Sequence, residues 1–441
     1  MASSADKTRR QTDRRRPQFS PAWFEMAALL TVVGLIVRQR ALFVLAACLL
    51  TVIPIAWWWK RTSLRRLEYE RHFDKRCAFP GETVQMTVRI TNRKLLPLSW
   101  LEVRDEVPIA LPLVQGVLMP TPVPEIGTLD NALSLRWYER VGRRYELACT
   151  ARGVYKLGPV HLKSGDLFTL FEEHQTRGHN DHVIVYPRIW PLEDLGLPSK
   201  EPFGERKAHR RLLADPLRTI GIRDYHPEDS LRHVHWKATA HRGELQVRVF
   251  EPAATLNLVI LLNVCTFEHN WQGVLPELFE RTVSVAGSIA TWAVGQKYKV
   301  GLVANGCMPL SDQPIRVPPG RSPGQLAAVL EALAYVTSFA IMSIHELLRW
   351  ESPRLPWGAT LVVVTAVVTD QLAASILRLR DAGRRMALVS LAEDPPPHLE
   401  GVATFHLPAA APAFQRRGQG ADDATLALQA AGLLAWEAQG G

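Results

Sequence analysis

Residues 256–262 read LNLVILL, a run in which only Asn257 is polar. Side chains of a strand alternate between its two faces, so an unbroken apolar run needs cover on both. This is the pattern of a parallel strand between helices, not of a half-exposed antiparallel one. It returns at Tyr298–Ala304, Thr360–Ala366 and Met386–Leu391, and more weakly at Val402–His406. Helical runs lie between these strands over Val274–Val294, Ser322–Ser338 and Gln371–Ala382, with another at Asp423–Glu437. The alternation predicts an open, doubly wound α/β domain over 253–441, whose ligands would bind at the carboxyl ends of the strands.

Just upstream, Asp215–Glu251 reads DPLRTIGIRDYHPEDSLRHVHWKATAHRGELQVRVFE. Arg223, Asp224, Tyr225, Asp229, Arg232, His235, Trp236, Lys237, His241 and Arg242 fall within twenty positions, more hydrogen-bonding groups than any amphipathic element requires. The segment 188–252 is therefore expected to be a connecting segment that carries the functional surface. Arg223, Arg232, Lys237 and Arg242 could hold a phosphate or a partner's carboxylates, since guanidinium forks match both. They could equally pair with Asp224, Asp229, Glu244 and Glu251 in a buried ion network that docks one domain on the next, with Trp236 packed at the junction. The composition favours the second reading. His226, His233, His235 and His241 match no zinc-ligand spacing and are expected to join a hydrogen-bonded network or face solvent.

Residues 77–187 alternate at period two, as in GETVQMTVRITN with Val84, Met86, Val88 and Ile90 on one side. Further strand candidates are SWLEVRDEV, LSLRWYERV, RRYELACTA, GVYKLGPVHLKS and DHVIVYPRI, with Pro and Gly between them. Short strands at this spacing predict an immunoglobulin-like β-sandwich.

The 52 basic and 43 acidic residues give a net charge of +9. Residues 1–76 alone hold 15 Lys/Arg against 6 Asp/Glu, so the remainder is neutral and its charge gives no argument for nucleic-acid binding. The basic residues flank two apolar runs, Ala22–Val37 and Ala41–Trp59, and the second is followed at once by Lys60 and Arg61. At 1.5 Å per residue that run spans roughly 28 Å, close to the hydrocarbon thickness of a bilayer. The expectation is a basic cytoplasmic tail over 1–21, a transmembrane helical hairpin over 22–59 (about 22–37 and 41–59) and a basic juxtamembrane linker over 60–76. The positive-inside rule then leaves the soluble domains in the cytoplasm. Five scattered cysteines with no CxxC pair exclude a zinc ribbon and give no disulfide framework. No GxxxxGK[ST] loop and no GxSxG elbow occur.

The stretch GIRDYHPEDSLRHVHWKATAHRGELQVRVFE resembles the signature of the domain of unknown function 58 family. The shared pattern is a Gly, Arg-(Asp/Glu)-Tyr, a turn with Pro and Asp, an Arg, Trp-Lys, and Ala-x-Arg before a strand and Glu251. The apolar hairpin and RGVYKLGPV…DLF, here Arg152 to Phe168, extend the resemblance over nearly the whole chain. It implies a membrane-tethered protein with a von Willebrand factor A-like domain, working beside a MoxR-type AAA+ ATPase in the assembly or maturation of complexes or the envelope. It implies no established reaction.

Such a domain, when it holds a metal, does so in an Asp-x-Ser-x-Ser loop after its first strand, because a hard cation needs a carboxylate and hydroxyls. Here those positions are Asn263, Cys265 and Phe267, with Asp370 in place of the further acid and also suited to cap a helix. A degenerate site, no metal and no cofactor are expected. The partners expected are the lipid bilayer and a MoxR-type ATPase, with no nucleic acid. The alternative is a metal- or phosphate-dependent enzyme using Asp224, Asp229, His235 and Lys237.

Overall fold

The computed structural model describes residues 29, 31–33, 36, 40–167, 171–178, 181–198, 214–226, 229, 231–252, 257–309, 311–408 and 414. The chain divides into two units, Met1–Val185 and Tyr186–Gly441.

In the first unit, α1 (Arg40–Ser63) is one continuous helix through the second apolar run, with Pro54 inside it. Most of the first run lies outside the described residues. Among the described residues, which leave out the side chains of Leu42, Phe43, Ala46 and Leu49, no helix is long and apolar enough to cross a membrane.

The chain then enters a β-sandwich with, among the described residues, eleven strands: β1 (Leu67–Phe73), β2 (Cys77–Ala78), β3 (Thr83–Asn92), β4 (Leu98–Pro108), β5 (Met119–Pro120), β6 (Ile126–Leu135), β7 (Arg140–Ala148), β8 (Gly153–Leu157), β9 (Val160–Gly165), β10 (Glu172–Arg177) and β11 (Asp181–Val185). They form sheets in the orders β1-β3-β7, β10-β9-β4-β6-β5 and β2-β11-β8. The period-two pattern is realised as read: Val84, Met86, Val88 and Ile90 point into one core with Leu101, Val103, Leu147 and Leu162.

Three sequence expectations are corrected here. The stretch 60–76 is not a linker, because β1 pairs antiparallel with β3 along Leu67↔Asn92 to Phe73↔Met86. Its alternation was hidden by a charge: Arg71 points inward, where its Nε donates to Asp105 Oδ2 at 2.8 Å and its Nη1 to Asp181 Oδ2 at 3.1 Å. Tyr69 gives the same carboxylate a hydroxyl hydrogen bond. LSLRWYERV is the end of β6, a turn at 136–139 and the start of β7, with Tyr138 at φ 53°. GVYKLGPVHLKS is two strands in different sheets, β8 and β9.

The second unit begins with a segment read as a connection but packed as core: Ile189, Leu192, Leu195 and Leu197 are buried. Its elements are β12 (Ala214–Asp224), α2 (Trp236–Arg242), β13 (Gln246–Pro252), β14 (Asn257–Leu262), α3 (Pro276–Gly295), β15 (Lys299–Cys307), β16 (Pro314–Gly320), α4 (Gln325–Tyr335), α5 (Ile344–Glu351), β17 (Thr360–Thr365), α6 (Asp370–Asp381), β18 (Arg385–Ser390) and β19 (Ala403–His406). The main sheet runs β16-β15-β14-β17-β18-β19. The five strands foreseen in the sequence are mutually parallel, and β16 adds an antiparallel edge against β15. The expected helix at Asp423–Glu437 lies outside the described residues.

Helices cover both faces, as the doubly apolar strands require. Val259 and Leu261 of β14 meet Leu347 and Leu348 of α5 and Leu372 and Ile376 of α6. Leu258, Ile260 and Leu262 alternate to the other face, where α3 and α4 pack. Helix α3 is buried along most of its length, and its hydroxyls at Thr282, Ser288 and Thr291 donate to carbonyls one turn back. That removes the cost of burying them bare. Gly287 lets the chain approach closely, since a Cβ there would lie 3.2 Å from Pro187 Cγ.

Candidate functional site

The polar segment folds as a β-hairpin whose connection carries a short helix. β12 and β13 pair antiparallel with Asp224↔Gln246, Arg223↔Val247 and Ile222↔Arg248 in register. The connection passes through a single 3₁₀ turn at Leu231–His233 before α2. Val234 and Val247, both buried, bridge it to β13.

The side chains of Arg223, Asp224, Asp229 and His235 are spent on building this loop. Arg223 grips Asp229 with both guanidinium nitrogens, Nη1 to Oδ2 at 2.7 Å and Nη2 to Oδ1 at 2.6 Å. The Asp229 hydrogen bond holds the Arg223 guanidinium above its ordinary pKa. Asp229 Oδ2 also accepts from the backbone N–H of His226 at 2.9 Å, and Arg223 Nη1 donates to the Asp224 carbonyl at 3.0 Å. Asp224 Oδ1 accepts from Gln246 Nε2 at 2.6 Å and lies 3.7 Å from Arg242 Nη1.

His235 serves as the N-cap of α2, its Nδ1 accepting from the Ala238 N–H at 3.1 Å, while its own N–H donates to the Gln246 carbonyl at 2.7 Å. Gly243, at φ 75°, closes the helix in the left-handed conformation that favours glycine. The Tyr225 N–H donates to the Leu245 carbonyl at 2.9 Å. The side chain of Glu251 lies outside the described residues.

This geometry corrects two expectations. The ion network is not buried throughout: Arg223 and Asp229 are 37 % and 11 % exposed, while the Arg242–Asp224 pair is more than two-thirds exposed on both sides. Nor is Trp236 packed, being 68 % exposed. The reason is local. α2 has seven residues, and none of them is buried. Leu231, Arg232, Lys237 and His241 are exposed with it. Of the four histidines, His235 is the helix cap, and His226, His233 and His241 are exposed. Sequence reasoning overlooked Leu231 and Gln246. Gln246, polar by type, is 1 % exposed and ties β13 to Asp224.

At the carboxyl ends of β14, β15 and β17 the second candidate, the metal position, is an amide cluster. Asn263 Nδ2 donates to Thr365 Oγ1 at 2.9 Å, and Asn263 Oδ1 accepts from Asn305 Nδ2 at 2.9 Å and from the Cys265 N–H at 3.2 Å. Asn305 Oδ1 takes the Val264 N–H at 2.9 Å. Burial pushes the Cys265 thiol pKa up, partly offset by the Asn305 amide, so the neutral thiol is favoured.

Phe267 lines a neighbouring pocket of ≈ 150 Å³ with Cys265, Thr266, Val274 and Phe339. Asp370 is the first residue of α6, and Thr369 rather than Asp370 is its N-cap, accepting from the Leu372 N–H at 3.3 Å. A hard divalent cation asks for carboxylate and hydroxyl oxygens. These neutral, already engaged groups do not fit one. Among the described residues no group of three or more His, Cys, Asp and Glu side chains converges on a point.

Residues 221–394, which include the hairpin and most of the α/β sheet, match the family described as "Protein of unknown function DUF58". The chain is 25 % identical over 256 residues to the "Uncharacterized protein YeaD" of Bacillus subtilis (strain 168). The match covers 56 % of this chain and 56 % of that one, so the chain spans little more than half the length of this relative. The family match is thus carried by residues 221–394, and the chain is a distant homologue of YeaD.

Among solved structures, the sporulation control protein Spo0M from Bacillus subtilis is 12 % identical over 30 % of this chain and 54 % of its own, with a TM-score of 0.18. The seventh ScaB type I cohesin from Pseudobacteroides cellulosolvens is 14 % identical over 26 % of this chain and 91 % of its own, with a TM-score of 0.17. Likenesses at these scores carry no further reading.

Proposed function

We propose that this protein is a membrane-anchored, non-enzymatic adaptor that binds a partner protein through the exposed side of α2. The observation that carries this reading is Trp236: an indole 68 % exposed beside an exposed Lys237, on a helix whose framework consumes the neighbouring polar groups. Trp is among the residue types enriched in interface hot spots. The partner surface that fits is acidic with an apolar recess. The family resemblance suggests a MoxR-type AAA+ ATPase, and the process served is then assembly or maturation of protein complexes or of the envelope.

The anchor is the apolar N-terminal hairpin, with the soluble units cytoplasmic, an immunoglobulin-like sandwich following it and a von Willebrand factor A-like domain after that. Supporting the anchor are the exposed Val44, Leu45, Leu50 and Ile55 of α1, a density of bare aliphatic side chains that water disfavours. The 24 residues of α1 extend about 36 Å, more than the hydrocarbon thickness.

The test is affinity capture of the tagged full chain from detergent-solubilised membranes, with mass spectrometry of the co-purifying proteins. An AAA+ ATPase retained by the wild type and lost with Trp236→Ala supports the proposal. No ATPase with either chain overturns the partner, and stoichiometric zinc or manganese lost on His235→Ala would replace the adaptor reading by an enzymatic one.

A further inference from the structure

The end of the sandwich nearest α1 carries an unusual surface. Lys94, 6 % exposed, donates from its ammonium to the carbonyls of Thr62 at 2.8 Å and Arg65 at 3.1 Å, and to that of Ser63. The last carbonyls of α1, which have no partner within the helix, are thereby tied to the β3–β4 loop. The Arg93 N–H donates to the Arg66 carbonyl at 3.0 Å, the Tyr138 N–H to the Lys94 carbonyl at 3.3 Å, and Asn92 Nδ2 to the carbonyls of Leu96 and Arg136. The helix exit, the β3–β4 loop and the β6–β7 turn are thus one hydrogen-bonded assembly. The β9–β10 connection begins at the same end, since Trp100, near the start of β4, donates to the Asp166 carbonyl at 3.3 Å.

On this assembly Leu95 is 74 % exposed, Trp137 64 %, Tyr138 65 % and Leu167 57 %. Four large apolar side chains thus stand out from three connections at one end of the sandwich. Around them lie the exposed Arg65, Arg66 and Arg136, for which no acidic partner occurs among the described residues. The nearby acids are taken: Glu68 by Arg93 at 2.7 Å and Glu173 by Lys60 at 3.7 Å. Trp and Tyr prefer the headgroup level of a bilayer, and arginines near an anionic leaflet are drawn to it.

We infer that this end of the sandwich is a bilayer-contacting platform, on which Leu95, Trp137, Tyr138 and Leu167 enter the interfacial layer and Arg65, Arg66 and Arg136 engage anionic lipid headgroups. The inference rests on the membrane anchor proposed above, because α1 delivers this end to the membrane surface. Continuity with the exposed apolar side chains of α1 and charge complementarity both select a lipid surface as the occupant. The platform would hold the sandwich at a fixed tilt instead of letting it swing on a tether.

The experiment uses the full chain reconstituted into vesicles of brominated phosphatidylcholine with phosphatidylglycerol. The chain has 13 tryptophans, so Trp137 is read as the difference between wild type and Trp137→Phe, a change at an exposed position that circular dichroism should show to be silent for folding. The expected result is that the difference emission is strongly quenched by the brominated lipid. The quenching should weaken both in vesicles without phosphatidylglycerol and in the Arg65→Glu/Arg66→Glu/Arg136→Glu variant.

Unquenched difference emission from a chain that resists carbonate extraction overturns the platform and leaves the anchor standing. Release by carbonate of a chain whose Trp137 was quenched overturns the anchor and leaves the platform as a peripheral contact. Equal quenching with and without phosphatidylglycerol overturns the role given to the arginines.

Discussion

Arg223 and Asp229 form a bidentate pair across the start of the motif loop, with both guanidinium–carboxylate distances under 2.8 Å. The planar fork matches the carboxylate, and Asp229 in turn fixes the backbone at His226. Replacing Arg223 by Lys keeps the charge and loses the fork. Amide hydrogen exchange is expected to accelerate over residues 225–235 in Arg223→Lys while the main sheet keeps its protection. Unchanged exchange in the loop would show that the pair does not organise it.

Trp236→Ala should leave global stability within about 0.5 kcal/mol, because the indole is 68 % exposed and fills no core volume. Partner affinity should fall by about 2 kcal/mol or more, the range of an interfacial hot spot. Parallel urea unfolding and binding measurements separate the two effects.

Asn263→Asp restores a carboxylate at the first position of the metal loop. The new oxygen would face Thr365 Oγ1, whose own hydrogen is given to the Val367 carbonyl at 2.7 Å. An acceptor is then left without a donor in a buried place, at a cost of about 1–3 kcal/mol. With Cys265 and Phe267 unchanged, magnesium should not restore the loss. A melting temperature that rises with magnesium in this variant would refute that account of the loop.

The Arg71–Asp105 pair has side chains that are almost wholly buried. Asp105→Ala leaves the buried Arg71 guanidinium with Asp181 as its remaining counter-ion and should cost about 3–5 kcal/mol in chemical unfolding of the sandwich. Arg71→Met/Asp105→Leu should recover much of that loss, because the two most deeply buried charges are gone and the Asp181 left behind is 23 % exposed.

Burial pushes the Lys94 ammonium down to about 8 from its ordinary 10.5. Between those values the unfolded chain binds more proton than the folded one, so this group makes stability rise with pH across that window. Below about 8 its destabilising contribution is constant. The slope is at most about 1.4 kcal/mol per pH unit. Lys94→Met should flatten the rise between pH 8 and pH 10. The variant should also fray the end of α1, seen as faster exchange at residues 62–66.

Much of this architecture is legible in the sequence alone, and the reason is periodicity. Runs such as 258–262 and 360–364 are apolar on both faces, so they had to be parallel strands under helices, and they are. The alternation of 84–90 likewise had to face one core. What the sequence could not decide were choices made by distant partners. Arg71 broke the apolar alternation of its strand because its counter-ions sit on β4 and β11, 34 and 110 positions away.

The motif shows the same division. Its residue types foretold charge pairing, and Arg223 with Asp229 is such a pair. Whether the pairs would be buried, and whether Trp236 would pack or project, depended on how short a helix the loop could hold. Only the tertiary structure set that length, because His235 caps α2 at one end and Gly243 closes it after seven helical residues.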